Sequence, residues 1–597
     1  MQAGGERRGW SVGELARASG VTIRALRYYD EIGLVPASER TRAGHRRYTD
    51  TDVRRLYRVR ALHQLGLSLA EIGNVLNAPD DPAALRHLLA AQLADLDARA
   101  AGIAEQRGRV QALLDQVDGP GMPEPGQFLA VLETTVPLVD ASAFLTARQR
   151  EALVLRGREM GDDAVGALKA EWLGLVGQLR ELLHDDFSDL EPLREIVGDA
   201  RVVAIGEGGH RVHEFYQVRH RLTRFLVAEL GFTAFVMESG FPEGLAVDEW
   251  IAGGPGDLDE LLRHGITYNM GRCAEMRDQL EWLRSYNATH DRQVRFYGMD
   301  PSDSSASALP SIKIVAAYLD KVDPAYAESV RGRLLPLFDY LPADRTGLAW
   351  AAPALYAYMA LEPAVRYEMT ARIGALVERM QAMRLIYTGR SDHETFEMTY
   401  RCAVTGRHTD AFLQVFALGD ERTYEGSNIR DAAMAENIEW ILQREQRVVI
   451  GAANGHVQRW PFSAPPIVND KLTVLGEHLA AALGDQLVVI ANSFGGGELF
   501  LHKPIPDGPP GHTETFVEEM PPLDPASLDE LLATAGMPRY VLDLRKVPPS
   551  GPVADRFAAV SSIMTGGQAT PVNPMAAFDA VVYVDKVSPW HFLGQGY

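Results

Sequence analysis

The sequence predicts a multidomain protein: an N-terminal all-α winged helix-turn-helix with a coiled-coil helix, then a large α/β domain with a mostly parallel sheet and a helical cap. Three observations lead there. The chain has 597 residues, several times the roughly 100–150 of one domain. Its charge is divided: residues 1–60 hold 13 Arg and no Lys against 7 Asp and Glu, a local +6 that leaves −27 on the remainder of a chain at −21. From about Leu190 onward, short apolar runs alternate with helical segments, the pattern of a parallel sheet covered by helices.

Composition narrows the class. Hydrophobic residues make up 46% and charged residues 23%, ordinary globular values. No apolar run approaches the roughly 18 residues that cross a bilayer. Met1 to Trp10 carries Arg7 and Arg8 but no apolar core segment, so a cytoplasmic protein without membrane partners is expected. Only Cys273 and Cys402 are present, which excludes a disulfide framework and a cysteine-based zinc site.

The first domain is expected over 1–78. Ser11-Val12-Gly13-Glu14 fits a capping box. Ser19-Gly20 then breaks that helix and Val21-Thr22 opens another, which is helix-turn-helix spacing. The second helix displays Arg24, Arg27, Tyr28 and Tyr29, and Gly44 to Tyr48 reads as a turn between two short extended segments. Over 79–117 the 4-3 spacing of Leu89, Leu93, Leu96, Ala100, Ile103, Arg107, Val110, Leu114 and Val117 predicts a coiled coil, hence a homodimer. Six Gly or Pro in residues 118–127 mark a linker. Residues 128–188 read as a helical connector, with Val165, Leu168, Trp172, Val176, Leu179 and Leu183 at helical spacing.

The α/β domain spans 189–597. Strands are expected at Arg201–Ile205, Thr233–Met237, Val294–Tyr297, Val448–Ile450, Leu487–Ile490, Tyr540–Leu544 and Val581–Val584. A nearly all-helical stretch from Ile312 to Phe416 forms the expected cap, and Pro504 to Pro525 reads as a surface loop. Open α/β sheets place their chemistry at the carboxyl ends of strands. Here the first strand runs into Gly206-Glu207-Gly208-Gly209-His210, the second ends at Glu238, and the fourth runs into Asn454-Gly455-His456. Two imidazoles among carboxylates can form a general base with its orienting partners, and Arg219 can pair with a carboxylate.

Two resemblances follow from these residues. Thr22-Ile23-Arg24-Ala25-Leu26-Arg27-Tyr28-Tyr29-Asp30, then Gly33-Leu34, then Arg46 and Tyr48, resemble the MerR family of transcription regulators. That resemblance implies a dimer on a two-fold promoter element, with Thr22, Arg24, Arg27, Tyr28, Tyr29, Arg46 and Tyr48 at the DNA. Residues from about Leu190 to the C-terminus resemble the erythromycin esterase family, hydrolases that open macrolide lactones with activated water. The markers are Gly206-Glu207 with His210, Glu214-Phe215, Arg219, Glu238, Trp282-Leu283-Arg284 with Tyr286-Asn287, Tyr297-Gly298 with Asp300, and Arg430-Asp431 with Met434-Ala435-Glu436-Asn437. By this resemblance His210 is the general base, Glu207 and Glu238 are its carboxylate partners, Arg219 lends electrostatic support and His456 is a further site imidazole. The family usually has Gly after its first His, where this chain has Arg211, and a second His at the later strand end, where this chain has Ala453.

Glu207, His210, Glu238 and His456 are also acceptable metal ligands, but carboxylate and imidazole serve as well without metal, and no metal or cofactor is expected. Two readings stay open. One is a regulator whose body recognises a macrolide-like or other ester or lactone ligand. The other is an active ester hydrolase whose DNA-binding head serves autoregulation.

Overall fold

The computed structural model describes residues 10–12, 15, 26, 29–30, 33–40, 46–64, 176–179, 186–342, 351–418, 425–464, 468–505, 513–520 and 522–594. The chain divides into two compact units, Met1–Val154 and Leu155–Tyr597. Thr22, Arg24, Arg27, Tyr28, the expected coiled coil and the linker lie outside the described residues.

In the first unit, β1 (Trp10–Ser11), β2 (Glu39–Arg40) and β3 (Arg46–Tyr48) form a small antiparallel sheet with β3 in the middle. β2 and β3 are the two extended segments expected on either side of Gly44, and β1 adds a third strand, so the head is not all-α. Helix α1 (Asp50–Gln64) follows. Leu15, Leu26, Leu34, Val35, Tyr48, Leu56 and Val59 make its core. Two aspartates tie the loops down. Asp30 accepts from Ala37 N at 2.8 Å and pairs with Arg46, while Asp52 accepts from Ser38 N at 3.1 Å and Thr49 N at 2.8 Å.

The second unit is built on an eight-stranded sheet in the order β4-β14-β17-β11-β5-β8-β6-β7. Its strands are β4 (Val176–Gln178), β5 (Val202–Glu207), β6 (Ala234–Gly240), β7 (Arg295–Asp300), β8 (Val448–Ala453), β11 (Leu487–Phe494), β14 (Arg539–Asp543) and β17 (Ala580–Val584). The pairings from β17 through β7 are all parallel, and only β14 runs against its neighbours. All seven expected strands are present. The eighth, β4, was expected to be helical. Leu179 at its end packs into the core, and an edge partner for β14 outweighs a helical pattern of apolar residues.

The strands are apolar almost throughout because helices cover both faces. Val202, Ala204, Val236, Val448 and Ile450 face one core, and Val203, Ile205, Phe235, Val449 and Ile490 face the other, with the period of two that a strand imposes. The second face is covered by α2 (His213–Leu230) and α4 (Ala274–Thr289), which flank α3 (Phe241–Ile251) in the chain. On the first side lie α5 (Leu309–Val322), α6 (Pro363–Ala382) and α7 (His393–Phe416), which cover the helix-rich stretch read from the sequence, and beyond it α8 (Glu425–Leu442). Short hairpins complete the unit: β9 (Phe462–Ala464) with β10 (Val468–Leu472), β12 (Glu498–Pro504) with β13 (Thr513–Glu519), and β15 (Ser562–Thr565) with β16 (Gln568–Pro571). β13 falls inside the Pro-rich stretch expected to be loop. Phe516 faces Leu501 across that hairpin, so cross-strand pairing overrides the flanking prolines.

Candidate active site

The carboxyl ends of β5, β8, β6 and β7 lie side by side and carry the chemistry. Glu207 closes β5 and stands in register with Ala453 at the end of β8. Gly206 must be glycine, because a Cβ there would come within 2.1 Å of Asn454 Oδ1. That close approach lets Asn454 Nδ2 donate to Asn492 O at 2.8 Å and Asn492 Nδ2 donate to Gly206 O at 2.5 Å, which locks three strand ends together.

Glu207, 5% exposed, holds two partners. Its Oε1 lies 2.6 Å from His210 Nδ1, and its Oε2 accepts from Arg219 Nη1 at 3.2 Å. Arg219 is buried in α2 with its guanidinium 4.1 Å from the Tyr216 ring centre. Its Nε and Nη2 have no hydrogen-bond partner among the described residues. Arg219 therefore compensates the charge of the buried carboxylate, and Glu207 fixes the tautomer that leaves His210 Nε2 unprotonated. The His210 side chain is 35% exposed, which leaves that nitrogen open to a substrate or a water.

Glu238 lies two residues before the end of β6 and belongs to a second, tighter network. It accepts from Ala453 N at 2.9 Å and from Arg430 Nη2 at 2.9 Å. Arg430 also forks onto Asp300 at the end of β7, Nε to Oδ1 and Nη2 to Oδ2, both at 2.7 Å. His456, in the short helix α9 (Asn454–Val457), sets Nδ1 2.8 Å from Asp431 Oδ1, with Nε2 3.0 Å from Arg430 Nη1 and 3.4 Å from Glu238 Oε1. Burial opposes ionisation of Glu238, but His456 and Arg430 outweigh it and hold the carboxyl well below its usual range. Burial likewise opposes a charged His456, yet Asp431 and Glu238 prevail and hold the imidazole up at about 10. Arg430 can only donate, so its approach to Nε2 suits a neutral ring. The two carboxylates are the stronger influence, and the Nε2 proton is directed at Glu238.

His210, Glu207 and Arg219 thus form one constellation, and Glu238 and His456 are held in another beside it. The strand order β5-β8-β6 brings the two together. His213 takes no part, because its Nδ1 is turned to Glu275. Arg430, Asp431 and Asp300, family markers in the sequence, join the site that the expected residues outline. Strand-end position signalled Asp300; nothing local in the sequence signals that Arg430, on α8, reaches two strand ends. In the first unit the structure removes Tyr48 from the expected DNA face. It is fully buried, with its hydroxyl donating to Leu26 O at 3.4 Å, because its aromatic ring packs among Leu26, Leu34, Leu56 and Val59. Arg46 is paired with Asp30, and Tyr29 is half-buried.

The comparisons agree with this division. Residues 227–587 match the family model for erythromycin esterase, residues 10–79 that of the MerR HTH family regulatory proteins, and residues 53–113 that of the MerR DNA-binding region. The chain is 25% identical over 412 residues to erythromycin esterase type II of Escherichia coli, covering 68% of this chain and 94% of that protein. Its N-terminal part is 43% identical over 99 residues to the HTH-type transcriptional activator TipA of Streptomyces coelicolor, spanning 16% of this chain and 39% of that protein. The fold matches a crystal structure from Bacillus cereus with a TM-score of 0.59 at 22% identity, covering 72% of this chain and 99% of that one. A mutant of erythromycin esterase EreC in its open conformation also matches at 0.59, with 18% identity and coverage of 70% and 100%. The chain belongs to the erythromycin esterase family and carries a MerR-family helix-turn-helix domain at its N-terminus.

Proposed function

We propose that the protein is a cytoplasmic transcription regulator, dimerised through the coiled coil of residues 79–117, whose winged head binds promoter DNA. Its body recognises a macrolide-like or other ester or lactone small molecule. The observation that carries the ligand reading is the Glu207–His210 pair. A buried carboxylate orients an imidazole whose other nitrogen is open, which is the geometry for activating a water against an ester carbonyl. In that step Nε2 takes the water's proton, the hydroxide adds to the carbonyl carbon, and the proton passes to the departing alkoxide. Glu207 stabilises the imidazolium that forms in between, and Arg219 holds Glu207 in place for it.

Turnover is the weaker half of the function. Ala453 offers no imidazole at the strand end between the two glutamates, and His456 is engaged on both nitrogens. A single base then works alone, which favours a site that holds its ligand longer than it destroys it. The competing reading, a hydrolase first and a regulator of its own gene second, is favoured by the intact base. Mass spectrometry of a macrolide and lactone panel incubated with the purified protein separates them. Addition of one water to any compound at enzymatic rates decides for the hydrolase. Retention of an unmodified compound on the protein decides for the sensor, and a panel neither bound nor altered refutes the ligand class.

A further inference from the structure

The segment after β17 is laced across two helix starts. His213 N donates to Ser588 O at 2.9 Å, and Trp590 N donates to Arg211 O at 3.0 Å. Ala274 N donates to His591 O at 2.9 Å, and Leu593 N donates to Arg272 O at 2.8 Å. Glu214 accepts from both Ser588 N at 2.7 Å and Ser588 Oγ at 2.8 Å. These bonds bring His591 to a fixed place beside the first residue of α2, His213, and the second residue of α4, Glu275. There Glu275 Oε1 lies 2.5 Å from His213 Nδ1 and 2.7 Å from His591 Nδ1. The two imidazoles meet edge to face, with ring centres 4.6 Å apart and planes at 87°.

The donor atoms of His213, Glu275 and His591 all lie within 4.8 Å of one another. They open onto a cleft of about 110 Å³ lined also by Tyr216, His220 and Asp278. His220 stands two turns along α2 from His213 and so on the same face. It is 9% exposed, and its Nε2 has no hydrogen-bond partner among the described residues, a costly state for a buried polar atom. Glu275 is buried, whereas the His591 side chain is 67% exposed, so the cluster is anchored within and reachable from solvent.

We propose that His213, Glu275 and His591 form a binding site for a divalent transition metal ion of the zinc, cobalt or nickel class. Two imidazoles and one carboxylate are the donors such ions prefer, while magnesium and calcium favour oxygen alone. Coordination requires each imidazole to exchange its bond to the shared oxygen for one to an ion beside it, with its proton carried on Nε2. Three protein donors leave a position on the cleft side for water. The site is separate from the Glu207–His210 pair, which uses a different carboxylate. It lies three residues from His210, beyond Arg211, whose backbone takes the left-handed φ of 63°. An ion bound here holds the C-terminal segment to the loop that carries the base.

The test is titration of the chelator-stripped full-length protein with zinc or cobalt chloride, followed by calorimetry and, for cobalt, by visible absorption. One ion per chain is expected, with a rise in Tm and a ligand-field band. Outer-shell partners of a metal typically cost roughly 10–100-fold in affinity when removed, so loss of a ligand in His591→Ala should cost at least about 100-fold and abolish the band. Exposed His591 can be removed without disturbing the core, and His213→Ala should behave alike, while His264→Ala should bind as wild type. Absence of binding, or binding that survives both His591→Ala and His213→Ala, overturns the proposal.

Discussion

Glu207 and Glu238 stand at strand ends on either side of β8, yet they are held for different work. Glu207 has one imidazole and one arginine, and the imidazole faces outward. His210→Ala is therefore expected to lower ester turnover by about 10²–10⁴-fold, the usual contribution of a general base, while circular dichroism stays native. Glu207→Gln should act through the same step and lower kcat more than it raises KM, and an enzyme indifferent to both substitutions would refute the base. Glu238 is enclosed by Arg430, His456 and the Ala453 amide. Removing Arg430 strands Asp300, which is fully buried, so Arg430→Met should destabilise the domain by about 3–5 kcal/mol in denaturant melts. His456 gives the pH dependence. Its folded pKa, about 10, lies above the ordinary 6.5, so the cation's stabilisation is complete below about pH 6.5 and lost as pH rises through 10. The stability gap between wild type and His456→Gln should shrink over that interval and close above it, and a gap that is flat in pH would count against a charged His456.

At the scale of elements, the residues that resemble a family divide into chemistry and carpentry. Arg284 Nη1 donates to Trp250 O at 2.6 Å, and Asn287 bonds Val294 and Ile251, so both fasten α4 to the segments beside it. Asn437 Nδ2 donates to Met299 O at 2.6 Å and sets α8 against β7, which is how Arg430 comes to reach Asp300. Gly298 serves the same purpose by having no side chain. A Cβ there would stand 2.2 Å from Gly240 O, inside the β6–β7 contact. Gly298→Ala must push β7 from β6, and overpacking of this kind costs about 1–3 kcal/mol. The expected result is a lowered Tm together with reduced ester turnover or ligand binding, because Asp300 and Glu238 lie in the last residues of the two strands that separate. Full activity at an unchanged Tm would show that the strands do not need this approach.

For the whole molecule the question is coupling. A ligand changes promoter output only through a difference in its affinity for two conformations of the protein. If the body is the sensor, a lactone that binds it changes transcription from the protein's own promoter in a reporter assay. His210→Ala should keep or sharpen that response, since the ligand is no longer consumed, and a chain truncated after Val117 should lose it. Identical output from all three proteins in the presence of a bound compound would leave a hydrolase with a DNA-binding head. Promoter binding itself should fall with salt, as the basic first 60 residues imply, and a salt-independent affinity would contradict phosphate contacts.

The parts list was legible in the sequence because each part is local. Apolar runs such as Val448–Ile450 mark strands buried on both faces. The Gly-Glu-x-x-His run that ends β5 and turns beyond it places a carboxylate beside an imidazole through the turn alone. The basic head is a matter of composition. What only the tertiary structure decided depends on pairs distant along the chain. Val176–Gln178 is a strand because β14, more than 350 residues later, offers an edge. Tyr48 is core because Leu26, Leu34, Leu56 and Val59, from separate segments, close around it. Arg430 meets Asp300 and Glu238 across 130 and 192 residues, and His591 meets Glu275 across 316. Spacing along a sequence encodes the geometry of a turn, a helix or a strand. It does not encode which strand ends become neighbours, and here the order β5-β8-β6-β7 makes that choice.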